Sequence, residues 1–410
     1  MTATDPRRVV EAVWRIESAR IIAGLARMVH DVGLAEELAQ DTLVIALEQW
    51  PVDGVPDHPG SWLMATAKHR AIDLLRRQTR YREKLELVGR ATPQADDPDL
   101  AAELDDYVGD DLLRLIFTTC HPVLSTESRV ALTLRLLGGL TTDEIARAYL
   151  VPESTVGQRI TRAKRTLADK GVPIELPPPS EVAERLASVL EVVYLIFNEG
   201  YAATAGDDWM RPALCTEALR LGRILATLAP EEPEVHGLVA LMELQASRTA
   251  ARAGADGAPI LLQDQDRRRW DRLLIRRGLD ALAHAEGTFG PYVLQASIAA
   301  CHARAARAED TDWGRIAALY AVLAHVSPSP IVELNRAVAV GHAEGPEPAL
   351  AIVDGLDLPH YALLPAVRGD LLARLGRTGE AREEFERAAT MTRNARERTL
   401  FEARAAALAR

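Results

Sequence analysis

Five residues have the types and spacing to read a nucleic-acid surface. Thr155, Gln158, Arg159, Arg162 and Arg165 share one side of a stretch whose other side carries Val156, Ile160, Ala163 and Leu167. The apolar set recurs at i, i+4, i+7 and i+11, the pattern of a buried helix face. Arginine grips guanine edges or phosphates through a two-point fork, and a glutamine amide matches adenine. The five are therefore the candidate base and phosphate readers.

Other chemistry is poorly supported. Glu199, Asp264, Asp266 and Asp271 could in principle form a carboxylate site, but the sequence has no phosphate-binding glycine loop, no His-Glu-x-x-His and no nucleophile signature. Asp264 and Asp266 read better as residues that cap or start a helix near its positive end. Cys120, Cys215 and Cys301 are far apart and odd in number, which argues against a disulfide framework. The adjacent pairs Cys120-His121 and Cys301-His302 do not have metal-ligand spacing. No catalytic residue, metal or cofactor is expected.

The elements that must hold the readers follow from local signals. Thr141-Thr142-Asp143-Glu144 is a capping-box start. Its helix runs to about Leu150, Val151-Pro152-Glu153 breaks it, and Ser154 or Thr155 is expected to cap the next helix. A short helix, a tight turn and a basic second helix is the helix-turn-helix geometry. Upstream, Ile21, Leu25, Met28 and Val32 form one apolar face, and Ala39, Leu43, Ala46 and Trp50 form another. Between these positions, Glu36, Glu37, Gln40, Asp41 and Glu48 make an acidic face suited to a basic helical partner. A break at Pro51–Gly60 precedes a third helix, expected to start near Ser61. It is strongly basic, with Lys68, Arg70, Arg76 and Arg77 followed by Arg80, Arg82 and Lys84.

Five segments result. Residues 6–90 form a helical unit, and 91–111 an acidic linker that contains no lysine or arginine. Residues 112–172 hold the helix-turn-helix, and 173–180 a stiff spacer built on Pro177-Pro178-Pro179. Residues 181–410 are alanine-rich and helical. In this last segment Gly369, Ala381, Phe385 and Ala388 sit at tetratricopeptide spacing. Ala337, Ala349 and Val353 match them one unit earlier, and Ile316, Tyr320, Leu323 and Pro328 match the end of another. The offset of about 32–34 residues is that of helix–turn–helix repeats. The expected fold class is all-α: two helical domains and a tetratricopeptide-like extension.

Composition agrees. The 410-residue chain carries a net charge of −11, so nucleic-acid affinity must come from local patches rather than from the total. No stretch reaches the roughly 18 uninterrupted apolar residues of a membrane span. The N-terminus lacks the apolar core of a signal peptide. No membrane partner is expected, and the expected location is cytoplasmic.

Three features together resemble extracytoplasmic-function sigma factors: Ala35–Asp41, the Trp62-Leu63 pair, and the run Ala71-Ile72-Asp73-Leu74-Leu75-Arg76-Arg77. These look like the family's first domain, region 2, and Thr141–Leu167 looks like its promoter-reading domain, region 4. The two matches occur in the family's order across residues 6–172. His69 departs from the asparagine usual there. Phe197–Tyr201, Asp264–Arg267, Trp270–Arg272 and Pro328–Arg336 resemble the long extension of one group within the family.

The resemblance implies core RNA polymerase and promoter DNA as partners. Glu36, Glu37, Gln40 and Asp41 would dock on the polymerase clamp. Asp57, His58, Lys68, Arg70, Arg76 and Arg77 would melt and hold the −10 element, and Thr155, Gln158, Arg159, Arg162 and Arg165 would read the −35 element. The acidic linker would thread the channel otherwise filled by nascent RNA, or serve as a tether. An anti-sigma or other regulatory protein would act through the extension. Two competing readings are a helix-turn-helix regulator with a helical-repeat sensor, and a helical-repeat scaffold or enzyme with a DNA-binding head. Neither accounts for the acidic and basic helices of residues 6–90.

Overall fold

The computed structural model describes residues 6–87, 108–203, 210–254 and 258–408, the side chains of 81–87 and 108–110 excepted. The acidic linker up to residue 107 lies outside these. The described residues are helical, apart from turns and one isolated bridge between Ala253 and Pro259. They divide into two compact units, residues 1–192 and 193–410.

The first unit opens with α1 (Pro6–Val29), α2 (Val32–Asp53) and α3 (Pro59–Leu87). Ile21 and Leu25 of α1 are fully buried with Ala35, Ala39 and Ala46 of α2 and Leu63, Ala67 and Ala71 of α3. Trp50 closes this core and meets Trp62 edge to face, with ring centroids 5.6 Å apart. Val32 does not continue the α1 stripe. His30 takes a left-handed φ of 52°, and the Asp31 carboxylate accepts the Leu34 N–H at 2.8 Å, so a new helix starts there. The break expected at Pro51–Gly60 is shorter, because α2 runs through Pro51 to Asp53 and α3 begins at Pro59 rather than Ser61.

Four short helices follow: α4 (Val108–Thr119), α5 (Thr126–Leu136), α6 (Thr142–Tyr149) and α7 (Glu153–Asp169). The expected linker ends early, since residues 108–111 already belong to α4. Asp111 is buried there. It accepts Arg27 of α1 at 3.0 Å and Arg114 at 2.9 Å, which ties α4 to α1. This aspartate reads as solvated in sequence because both partners lie outside its acidic run.

Past Pro177–Pro179 comes α8 (Val182–Tyr201). The division between the two units falls inside this helix, after Val192, rather than at the prolines. Its first turns seal the end of α4, where helix carbonyls have no partner of their own. Arg185 donates to the Phe117 carbonyl at 2.9 Å, and the Ser188 hydroxyl to the Cys120 carbonyl at 2.6 Å. Arg129 of α5 donates to Ser188 Oγ and, at 3.0 Å, to Glu191. Leu186, Val189, Leu190 and Val192 are buried alongside. Burial raises the pKa of the Cys120 thiol, whose Sγ lies 3.4 Å from Thr133 Oγ1. Burial, aided by the charge of Arg185, pushes His121 down to about 4.

The second unit contains α9 (Pro212–Leu228), α10 (Pro233–Ala246), α11 (Arg272–Ala283), α12 (Pro291–Arg304) and α13 (Trp313–Val326). It continues with α14 (Pro330–Ala343), α15 (Pro346–Asp354), α16 (Leu363–Arg374), α17 (Thr378–Met391) and α18 (Ala395–Ala407). Each helix packs on the next, and α10 also meets α12 and α14 meets α16, the pattern of a helical-repeat array. The repeat positions are interior: Ala337, Ala349, Val353, Ala381, Phe385 and Ala388 are buried. Gly369 lets α16 approach α17 closely, since a Cβ there would lie 3.1 Å from the Ala381 carbonyl and 3.2 Å from the Phe385 ring. Proline occupies the first turn of α9, α10, α12, α14 and α15, where its missing N–H costs nothing.

The Ser188 joint makes a prediction. Ser188→Val leaves the Cys120 carbonyl without its donor, a loss of about 1–3 kcal/mol. In a full chain with Cys215 and Cys301 replaced by alanine, maleimide labelling of Cys120 should accelerate about tenfold or more. Unchanged labelling would mean that α8 does not hold the end of α4. His121 adds a pH dependence. Its folded pKa lies below the ordinary value of about 6.5, so the joint is most stable above that pH and weakens as pH falls toward 4. Hydrogen exchange of α4 at pH 7 and pH 5 checks this.

Candidate nucleic-acid interface

Helices α6 and α7 form the expected hairpin. The capping box is complete: the Glu144 N–H donates to Thr141 Oγ1 at 3.1 Å, and the Thr141 N–H to Glu144 Oε2 at 2.8 Å. Leu150 then turns the chain with φ 50° and ψ 45°. The second helix is not capped by Ser154 or Thr155. It starts at Glu153, two or three residues earlier than those hydroxyls could serve, with Pro152 at the N-cap and no side-chain cap bond. Pro152 fixes the entering backbone, and Glu153 places a negative charge at the positive helix end.

Val156, Ile160, Ala163 and Leu167 are buried, so the reader residues are turned outward. Gln158, Arg162 and Arg165 are exposed, and Thr155 and Arg159 are half-buried at the edge of the same face. Arg165 pairs with Asp169 at 3.3 Å, a fully solvated pair worth little, which a phosphate can replace. Arg159 lies close enough to Glu127 of α5 to act on its charge. The Glu127 carboxyl is held below its usual range first by backbone and Ser125 hydrogen bonds.

On α3, Arg70, Arg76 and Arg77 are exposed and Lys68 is half-buried; Asp57 and His58 are exposed just ahead of the helix. Arg70 reaches Asp41 of α2 at 2.6 Å. One residue assigned to DNA and one assigned to polymerase therefore neutralise each other across two helices.

The acidic face of α2 is smaller than expected. Glu37, Gln40, Asp41 and Glu48 are exposed, with Val44 among them. Glu36 is only 4% exposed. Its carboxylate accepts Arg135 of α5 at 2.7 Å and Gln40 at 2.8 Å, and it pairs with Lys164 of α7. Burial by itself raises this pKa, but the hydrogen bonds and charges of Lys164 and Arg135 outweigh it and hold the carboxyl below its ordinary range. Glu36 thus joins α2 to the helix-turn-helix instead of facing a partner protein. Sequence did hold a signal for this, because Glu36 flanks the buried Ala35–Ala39 stripe and Lys164 flanks the Ile160–Leu167 stripe. The reading placed Glu36 with the outward acidic set and left Lys164 unassigned.

Comparisons with known proteins divide along the same lines. Residues 16–81 match the model for Sigma-70 region 2, and residues 114–167 that for Sigma-70, region 4. Residues 185–286 match a family of unknown function, DUF6596. An ECF RNA polymerase sigma factor, SigK of Mycobacterium bovis, is 30% identical over 155 residues, 36% of this chain and 78% of that protein. The chain belongs to the ECF family of RNA polymerase sigma factors.

This sigma factor is also 45% identical over 388 residues, 92% of its length, to the uncharacterized protein R00370 of Rhizobium meliloti, with 90% of that protein covered. A probable ECF sigma factor, SigI of Mycobacterium tuberculosis, is 28% identical over 183 residues, 43% of this chain and 60% of its own length. Among solved structures, yeast Tom70 aligns over 99% of the sigma factor and 85% of its own chain, with 13% identity and a TM-score of 0.32. Among the described residues, no helix is long and apolar enough to cross a membrane.

The Glu36 joint also makes a prediction. Glu36→Gln leaves Arg135 and Lys164 without a buried counter-charge, at a cost of about 3–5 kcal/mol. Hydrogen exchange should rise on α2 and on α5 to α7 together. Acid should do the same: a depressed folded pKa gives stability that is lost as pH falls through it. A rise confined to α2 would show that the carboxylate does not link the two regions.

Proposed function

We propose that this chain is an alternative sigma factor that docks on core polymerase through α2, opens the −10 element with α3 and the loop before it, and reads the −35 element with α7. The observation that carries the reading is the outward arginine face of α7, Arg159, Arg162 and Arg165 with Gln158, set on a chain that has both sigma regions. The docking set is Glu37, Gln40 and Asp41. Glu36 would join it only after leaving Arg135 and Lys164.

Geometry adds a step. The two promoter elements lie roughly 25 base pairs apart, about 85 Å at 3.4 Å per base pair. Helices α2 and α7 are in contact at Glu36 and Lys164, and α7 is itself only about 25 Å long. The arrangement described here therefore cannot engage both elements at once. The 20 residues between Leu87 and Val108 can extend by at most about 70 Å, which with the helices themselves is enough to span the gap. Breaking the Glu36 and Asp111 ion pairs accompanies promoter binding, and contact with polymerase or DNA supplies the free energy. The extension modulates this step, because α8 begins within the first unit and holds α4 and α5.

Transcription reconstituted with purified core polymerase tests the reading. The full chain should confer promoter-dependent initiation, whereas a helix-turn-helix regulator would bind DNA without conferring it. Arg162→Ala should weaken binding at the −35 element by roughly 1–3 kcal/mol if the arginine makes a two-point base contact. Charge reversal at Glu37 and Asp41 should lower affinity for core polymerase while the thermal midpoint stays near that of the parent. Wild-type polymerase affinity in that variant would exclude the α2 face.

A further inference from the structure

Two stretches that the transcription reading does not use, Phe197–Tyr201 and Asp264–Trp270, come together in the second unit around three arginines. Arg252 stacks on the Tyr201 ring at 3.5 Å and donates to the Tyr201 carbonyl. Arg248 lies 5.8 Å from the ring centres of both Tyr201 and Trp270 and donates to the Tyr201 hydroxyl. Arg267 sits 4.9 Å from the Trp270 ring and donates to the carbonyls of His302 and Ala305, both at 2.7 Å, and to Thr311 Oγ1 at 2.9 Å.

The cluster is cationic, and two of its three arginines lack a close counter-charge. Among the described residues, neither Arg248 nor Arg267 has a carboxylate within ion-pair distance. The acids that act on Arg267 are Asp310 and Glu309, and both already pair with Arg307, at 3.2 and 3.4 Å. Desolvation lowers the pKa of Arg252 and of Arg267, and the charge of Arg248 lowers both further.

Polar atoms are also left over, two of them N–H donors, one an imidazole nitrogen and one an amide oxygen. Arg267 Nε, Trp270 Nε1, Gln265 Oε1 and His302 Nδ1 are buried without a hydrogen-bond partner. Buried polar groups are ordinarily satisfied, so the unpaired Arg267 and Trp270 donors, on side chains that stack together, call for an occupant. Burial first, and then the charges of Arg248, Arg267 and His342, push His302 down to about 3. It is therefore neutral at physiological pH and adds no positive charge. A group carrying negatively charged oxygens matches the Arg267 and Trp270 members of this set, since guanidinium and indole N–H groups only donate; the Gln265 oxygen is an acceptor and takes no part in holding it.

We propose that the extension binds a small oxyanion, a metabolite bearing a carboxylate or phosphate group, between Arg248, Arg252, Arg267 and Trp270. A macromolecule does not fit: Arg252 and Arg267 are each 7% exposed and Trp270 only 3%. Arg248 is half-buried and is the member that an incoming anion meets first. The sensor role this gives the extension is independent of which promoter elements the first unit reads.

The test is isothermal titration of the full chain with inorganic phosphate, pyrophosphate and citrate, at an ionic strength held constant with sodium chloride. Saturable one-site uptake of at least one anion is expected. Preference for citrate over the two phosphates, or the reverse, separates carboxylate-bearing from phosphate-bearing ligands. Arg248→Gln should weaken uptake about tenfold or more, the effect of losing one charge-assisted hydrogen bond. Trp270→Phe keeps the ring, removes the indole N–H and should weaken it less. Arg252→Gln should also weaken uptake about tenfold or more; should that variant fail to fold, the half-buried Arg248 decides the matter. No saturable uptake of any of the three anions, or uptake untouched by Arg248→Gln, would overturn the proposal. So would heat that fades with added salt without saturating.

Discussion

One buried carboxylate sets the arrangement of the first unit. Taking Glu36 out of water costs several kcal/mol unless cations follow it, and the two that follow come from helices far along the chain. Arg135 brings α5 and Lys164 brings α7, so a single charge fixes how the region 4 hairpin lies against α2. Asp111 repeats the device on a smaller scale with Arg27. Such pairs specify geometry well and stabilise little, because the Coulombic gain is largely cancelled by desolvation. An apolar contact of the same area would hold the two regions together more firmly than the proposed separation on promoter binding allows.

The second unit divides its charges differently. Two of its acidic residues serve helix ends: Asp271 accepts the Leu273 and Leu274 N–H groups at 2.8 and 3.1 Å, and Asp266 accepts that of Arg268 at 3.0 Å. Glu199 pairs with Arg211. Three of the four carboxylates that might have suggested catalysis, Glu199, Asp266 and Asp271, are thus occupied as caps and pairs, while Arg252 and Arg267 are left in the interior. The array itself is held by small residues, as at Gly369 and Ala381, which let neighbouring helices approach closely.

What sequence revealed depended on the range of the interaction. The Thr141–Glu144 cap, the Val156–Leu167 stripe and the Ala337–Phe385 repeat are patterns within one or two helices, and the structure reproduces them. The outward placement of Gln158, Arg162 and Arg165 follows from the stripe beneath them. Glu36 reads as facing a partner protein and Asp111 as solvated because their own neighbourhoods are acidic, while Arg135, Lys164 and Arg27 lie on other helices. The start of α7 was misplaced because Ser154 and Thr155 are good caps in isolation, but Pro152 already fixes the turn. The role of residues 182–192 was invisible for the same reason: the carbonyls they satisfy belong to α4.

That last joint has a practical meaning for anyone cutting and recombining these chains. Pro177-Pro178-Pro179 looks like a seam, and a fusion designer would splice there to move the extension onto another sigma factor or to remove it. The cut would strip the Phe117 and Cys120 carbonyls of their donors and uncover Val189 and Leu190. The recipient would gain a helix whose first turns have nothing to pack on. Region 4 and the start of α8 therefore have to travel as one inherited piece, and the proline run marks a bend in the path between them rather than an edge.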